Sequence, residues 1–178
     1  MGRAVASPVA TSLPDPGRRA LLRGRLHGPP PLRPPWALDE PRFVDACTGC
    51  GDCVTACPEN VLHLGGGRLP EFDPGRGECT FCGDCASACA APAFNSVSAL
   101  PWTLRARVGE ACLTARGIVC SSCRDACGEA AIRFPPTRAV PVPRIDADRC
   151  TGCGACVAGC PSAAISLAHA PREVADEA

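Results

Sequence analysis

The cysteines of this chain follow a repeated spacing that is suited to binding metal through sulfur. The sequence contains 16 cysteines in 178 residues, and they fall into four groups of four, which we call combs. Three combs have the spacing C-x2-C-x2-C-x3-C, and the third has seven residues between its first two cysteines. Clustered thiols in a reducing compartment are typical of metal ligands rather than disulfides. The combs are Cys47-Cys50-Cys53-Cys57, Cys79-Cys82-Cys85-Cys89, Cys112-Cys120-Cys123-Cys127 and Cys150-Cys153-Cys156-Cys160.

The spacing within the combs favours iron-sulfur clusters over zinc. Three thiolates at these intervals wrap three corners of a cubic [4Fe-4S] cluster, and a fourth ligand must then come from elsewhere in the chain. A structural zinc site usually joins two C-x2-C pairs across a long loop and does not need a third cysteine three positions further on. We therefore expect [4Fe-4S] clusters, with zinc as the alternative metal.

The last cysteine of each comb is expected to serve the neighbouring comb. In two-cluster ferredoxins the fourth cysteine of the C-x2-C-x2-C-x3-C-P run ligates the other cluster. Cys57 and Cys160 are followed by Pro58 and Pro161, which complete this run in the first and last combs. The rule predicts four sites. Site one is Cys47, Cys50, Cys53 and Cys89; site two is Cys79, Cys82, Cys85 and Cys57; site three is Cys112, Cys120, Cys123 and Cys160; site four is Cys150, Cys153, Cys156 and Cys127.

The combs group in pairs, which predicts two modules. The first and second combs, and likewise the third and fourth, are separated by 21 or 22 residues that alternate apolar pieces with turn formers. These linkers predict hairpins that pair 61–64 with 69–72 and 131–134 with 142–145. Brief helices are expected after the last cysteine of each comb or within 104–115.

The predicted fold is α+β, with tandem ferredoxin-like modules built of short hairpins and short helices. We assign module one to 42–104 and module two to 105–178. Residues 1–41 are rich in proline and arginine, which predicts a flexible arm. Trp36 lies near the end of this arm, where it either packs on the nearest module or docks a partner.

Composition argues against several classes of function. The formal net charge is zero, with 18 basic and 18 acidic residues, so no global charge favours nucleic acid. No apolar run reaches the roughly 18 residues that a membrane span needs. No dinucleotide fingerprint, phosphate loop or Ser/His/Asp set is present, so we do not expect an enzyme. Arg18-Arg19 lacks the apolar stretch of an export signal, and we therefore expect a cytoplasmic protein.

Beyond the combs, the chain resembles the family of ferredoxin-type NapF proteins of periplasmic nitrate reductase systems. Two-cluster ferredoxins would account for the combs alone, whereas the NapF resemblance also covers segments that contain no cysteine. The chain departs from the ferredoxin pattern where Cys89 and Cys127 lack a following proline, and the widened third comb leaves open whether site three carries a full cluster, a labile one or none. The matching stretches lie at 18–25, 33–36, 47–60, 77–82, 101–104, 109–113, 131–134 and 150–161.

The resemblance implies a cytoplasmic iron-sulfur accessory protein. Its expected partner is the catalytic molybdenum subunit of periplasmic nitrate reductase, whose iron-sulfur centre it would help to mature before export. A ferredoxin-type relay that passes single electrons to a redox partner is the alternative function.

Overall fold

The computed structural model describes residues 30–170, where short elements alternate with loops. The arginine pair at 18–19 and the histidine at 27 lie outside the described residues. The helices are α1 (Glu40–Ala46), α2 (Asp52–Thr55), α3 (Asp84–Ser87), α4 (Ser122–Asp125) and α5 (Ala155–Ala158). The strands are β1 (Leu62–Leu64), β2 (Pro70–Phe72), β3 (Leu104–Val108), β4 (Ile132–Arg133), β5 (Arg144–Ile145) and β6 (Ile165–His169).

The comb repeat produces the same local structure four times. Helices α2 to α5 are each four residues long, and the second residue of each is the third cysteine of a comb. That cysteine is buried in every case. The expectation that helices follow the last cysteine is wrong, because each of these helices ends before it. In the first and last combs the following proline disfavours helical backbone at the last cysteine.

The two predicted hairpins are confirmed. Strands β1 and β2 pair antiparallel with Leu62 opposite Phe72, and β4 and β5 pair antiparallel with Ile132 opposite Ile145. Leu62, Phe72 and Ile132 are buried, so the hairpins turn one face toward the core. The alternation of short apolar pieces with turn formers was therefore sufficient to predict both pairs.

The segment after Thr103 is a strand rather than the expected helix. Leu104 and Ala106 are buried while Arg107 is exposed, an alternation of period two that suits a half-buried strand. This strand, β3, pairs antiparallel with β6, and Val108 lies opposite Ile165. Sequence periodicity could not reveal the partner, because β6 lies far along the chain.

Two small cores share strand β3. One core cluster gathers around Phe72, Val61 and Leu104, and the other gathers around Ile132, Ile165 and Ala106. Leu104 and Ala106, two positions apart on β3, thus enter different cores. The described residues from Pro31 onward accordingly belong to one compact unit.

The prediction of a flexible arm does not hold for residues 31–41, which pack on module one. The Trp36 side chain is only 5% exposed, and its indole Nε1 donates a hydrogen bond to the Ala99 carbonyl at 2.9 Å. Arg33 donates to Glu40 and lies over the Phe43 ring at 5.3 Å. This packing agrees with the interpretation of Trp36 as a packed residue. Across residues 30–170, the helices are all too short or too polar to cross a bilayer.

Candidate iron-sulfur centres

Site one is assembled from two combs, as the exchange rule predicts. Cys53 lies close enough to Cys47, Cys89 and Cys50 for their thiolates to repel its own. Burial, followed by these neighbours, raises the pKa of Cys53 to about 11. Cys50 is exposed at the rim of the group. The structure therefore brings together the four thiols that the sequence assigned to this site.

Site two lies in a cavity of about 330 Å³. Burial raises the pKa of Cys79 to about 11 and that of Cys85 to about 12, and neighbouring thiols add to both increases. Trp36, Val61 and Phe81 supply apolar lining. The thiols that face the cavity are Cys57, Cys79, Cys82 and Cys85, the predicted set.

Site three forms despite the widened comb. Its cavity of about 310 Å³ is lined by Cys112, Cys120, Cys123 and Cys160. In the three regular combs the first cysteine stands three residues before the second, and here that position is Gly117. The insertion folds into a 3-10 turn, Thr114–Arg116, which is closed by a hydrogen bond from the Ile118 amide to the Leu113 carbonyl at 2.9 Å. This compact turn returns the chain so that Cys112 faces the other three thiols.

Hydrogen bonds distinguish the thiols of site three. Burial raises the pKa of Cys112, but donors from Thr114 and Ala115 outweigh burial and lower it below its usual value. The pKa of Cys160 is also lowered, because the Ala164 amide and Ser162 outweigh the effect of burial. The hydroxyls of Thr114, Ser122 and Ser162 were not singled out from the sequence. Their one sequence signal is that each follows a cysteine by two positions.

Site four occupies a cavity of about 340 Å³ against strand β3. Burial, followed by repulsion from neighbouring thiols, raises the pKa of Cys156 to about 12. Backbone amides of Ala106 and Ala131 donate to two of its sulfurs, at 3.5 and 3.4 Å. The lining thiols are Cys127, Cys150, Cys153 and Cys156.

A close backbone approach holds site four against β3. Gly152 lies between two thiols of this site, Cys150 and Cys153, and has φ +76°. A Cβ at this position would collide with the carbonyl oxygen of Leu104 in β3. Glycine is therefore required here both for its left-handed conformation and for the space it leaves.

The four sites form a continuous row. Cys85 of site two interacts with Cys53 of site one, and Cys156 of site four interacts with Cys123 of site three. Between the modules, the Cys79 amide donates to the Cys153 carbonyl at 2.8 Å. The order along the row is therefore one, two, four, three.

The thiols of the four sites suit the binding of iron-sulfur clusters. All sixteen cysteines, which lie within residues 30–170, are free thiols. Within the same range, no three His, Cys, Asp or Glu side chains converge tightly enough to hold a single metal ion. Four thiols around a cavity, with backbone amides directed at sulfur, provide what a [4Fe-4S] cluster requires. Because several of these thiols have raised pKa values, metal binding must release their protons.

Two histidines and two acidic residues near the combs lie apart from the sulfur-lined cavities. His63 lies 3.8 Å from Glu71 across the β1–β2 hairpin, and His169 shares a hydrogen bond of 2.9 Å with Thr103. Asp52 and Asp84 begin helices α2 and α3 and are exposed. None of these four residues lines the cavities of sites two, three and four.

Comparison with known families agrees with this arrangement. The 4Fe-4S dicluster domain family matches residues 46–93 and 117–164. The two matches include fifteen of the sixteen cysteines, and the second begins after Cys112. The structure thus adds Cys112 to a site whose other thiols all lie within the family match.

Relatives match well beyond the cysteine combs. The ferredoxin-type protein NapF of Haemophilus influenzae is 46% identical over 76% of this chain and 78% of its own length. NapF of Escherichia coli K12 is 39% identical over 87% of this chain and 96% of its own length. The methylamine utilization ferredoxin-type protein MauM of Methylophilus methylotrophus is 36% identical over 80% of this chain and 72% of its own length. The chain therefore belongs to the family of ferredoxin-type NapF iron-sulfur proteins, with two 4Fe-4S dicluster domains.

Proposed function

We propose that sites one to four each hold one [4Fe-4S] cluster through the four thiols named above. Sites two, three and four lie in cavities of similar size. Each combines the first three cysteines of one comb with the last cysteine of the other comb in the same module. For site one, the grouping is supported by the repulsion that Cys47, Cys89 and Cys50 exert on the thiolate of Cys53. Such clusters would supply one-electron chemistry, and the protein provides their ligands, burial and hydrogen bonds.

The function that we infer is assistance in the maturation of a partner's iron-sulfur centre. The partner is the catalytic subunit of periplasmic nitrate reductase, and the protein would act on it in the cytoplasm, before export. The observation that carries this proposal is the 39% identity to NapF over 87% of the chain, which extends into segments without cysteine. A protein that served only as a cluster scaffold would not need similarity in those segments. We propose no enzymatic activity of its own.

Producing the catalytic subunit with and without this protein tests the maturation function. Without it, or with the Cys50→Ser variant, we expect the subunit to be exported with deficient iron and low nitrate reductase activity. The exposed-residue variant Ser98→Ala serves as the matched control and should behave as wild type. Normal iron content in a subunit made without this protein would contradict the proposal.

The relay is the second candidate function, and the row of four sites favours it. Because thiols of neighbouring sites lie close enough to interact, single electrons could pass along the row. A relay predicts rapid, reversible reduction by a donor protein and normal assembly of the partner in its absence. The partner's iron content therefore discriminates between the two functions.

A further inference from the structure

Site three differs from the other sites in the hydroxyl groups at its sulfurs. Thr114 Oγ1 lies 3.2 Å from Cys112 Sγ, Ser122 Oγ lies 3.6 Å from Cys120 Sγ, and Ser162 Oγ lies 3.7 Å from Cys160 Sγ. Thr114 is buried, so its hydroxyl is shielded from water. Among residues 30–170, these are the side-chain hydroxyl contacts to cysteine sulfur, and all three belong to one site.

The direction of these hydrogen bonds follows from the chemistry of the ligand. A free thiol can donate or accept, but a cysteine that binds metal does so as the thiolate and has no proton to donate. The hydroxyls must therefore be the donors when the site is loaded. A donor directed at a ligand sulfur stabilises the additional negative charge of the reduced state, and hydrogen bonds to sulfur are among the determinants of cluster potential.

Site four provides a matched comparison within the same module. Both sites contain one buried and three half-buried thiols, so solvent exposure does not separate them. Two backbone amides donate to sulfurs of site four, from Ala106 and Ala131. At site three, the Ala164 amide donates to Cys160 and the backbones of Thr114 and Ala115 donate to Cys112, and three hydroxyls lie against its sulfurs in addition. The larger number of donors at site three therefore favours its reduced state over that of site four.

We propose that Thr114, Ser122 and Ser162 raise the reduction potential of site three above that of site four. An electron that enters module two beside Cys153 would then come to rest at site three, at the far end of the row. This gives electron transfer within module two a direction, from site four to site three. The inference rests on the ligand groups of the proposed function.

The test is a redox titration of the anaerobic holoprotein, followed by electron paramagnetic resonance, with dithionite as the electron donor. The triple variant Thr114→Val, Ser122→Ala, Ser162→Ala should keep its iron and move one reduction potential to a more negative value, while the others stay in place. The single variant Thr114→Ser keeps a hydroxyl and should therefore leave the reduction potential of site three close to the wild-type value. The control variant Thr55→Val, Ser87→Ala removes hydroxyls that also stand two positions after a cysteine, Cys53 and Cys85. It should leave every reduction potential unchanged.

Single variants keep the test decisive if the triple variant loses iron. Ser122→Ala and Ser162→Ala should each produce part of the negative shift, because each removes one donor. If the triple variant keeps its iron, unchanged reduction potentials in it would overturn the inference. If it loses iron, unchanged potentials in both single variants would do so. Iron counting separates this failure from that of the proposed function: wild-type protein that lacks the iron of site three would refute the ligand group and the inference together.

Discussion

At the scale of single residues, Cys112 shows how a departure from the repeat can be compensated. The regular position of the first cysteine is occupied by Gly117, and Cys112 stands five residues earlier in the chain. The 3-10 turn Thr114–Arg116 takes up the extra length, and the buried Thr114 anchors it. The exchange of the last cysteines was predictable from the sequence, because it follows from the comb spacing. The return of Cys112 to its site was not, because it depends on the closure of a loop.

Cys112→Ser should selectively empty site three. A serine hydroxyl is a poor ligand for iron, so about four of roughly sixteen irons should be lost while the other sites remain loaded. Iron and sulfide analysis of the anaerobic protein measures this loss. Val119→Ala, an exposed change in the same loop, is the matched control and should retain all the iron. Full iron content in Cys112→Ser would show that Cys112 is not a ligand.

At the scale of elements, the third cysteine of every comb lies in a four-residue helix that is too short to be stable by itself. These helices depend on their surroundings, and strand β3 supplies much of the support for site four. Hairpins β1–β2 and β4–β5 were predictable, since their strands are close in sequence. The β3–β6 pair was missed because nothing local to 104–108 identifies a partner near the end of the module.

Gly152→Ala should separate the effect of close packing from that of backbone conformation. At Gly152 the new Cβ would meet the Leu104 carbonyl, whereas at Gly117, which also has positive φ, it would meet nothing within 4 Å. Gly117→Ala should therefore cost only the roughly 1–2 kcal/mol of a left-handed residue. Gly152→Ala should cost clearly more and shift β3. Anaerobic urea denaturation, followed by visible absorbance, compares the two, and equal losses would contradict the close approach.

At the scale of the whole molecule, aromatic residues join the two modules. Trp102 lies against Phe72 and Phe81, with ring centroids 5.0 and 5.5 Å away, and its indole Nε1 donates to the Thr151 carbonyl at 2.9 Å. Phe81 in turn contacts Trp36 at 6.4 Å. Two modules were predictable from the pairing of combs. Their contact was not, because it depends on one tryptophan and on backbone atoms that carry no sequence signal.

Trp102→Ala should loosen the connection between the modules. Loss of a buried core aromatic typically costs about 3–5 kcal/mol, and because Trp102 is only partly buried its loss should cost about the lower end of that range, with the hydrogen bond to Thr151 lost as well. Trp102→Phe keeps most of the packing and should cost less. Limited proteolysis under anaerobic conditions should then cleave the alanine variant near 95–103 faster than wild type. Val97→Ala, an exposed change in the same region, should have no effect. Equal cleavage rates for all of these proteins would indicate that Trp102 does not hold the modules together.

Counting iron and acid-labile sulfide on anaerobically purified protein shows directly whether the sixteen thiols hold clusters. Sixteen thiols in four groups of four predict about sixteen irons and sixteen sulfides per chain, with signals of reduced [4Fe-4S] clusters in electron paramagnetic resonance. A colourless, folded protein that contains zinc would contradict the assignment of these thiols to iron-sulfur clusters.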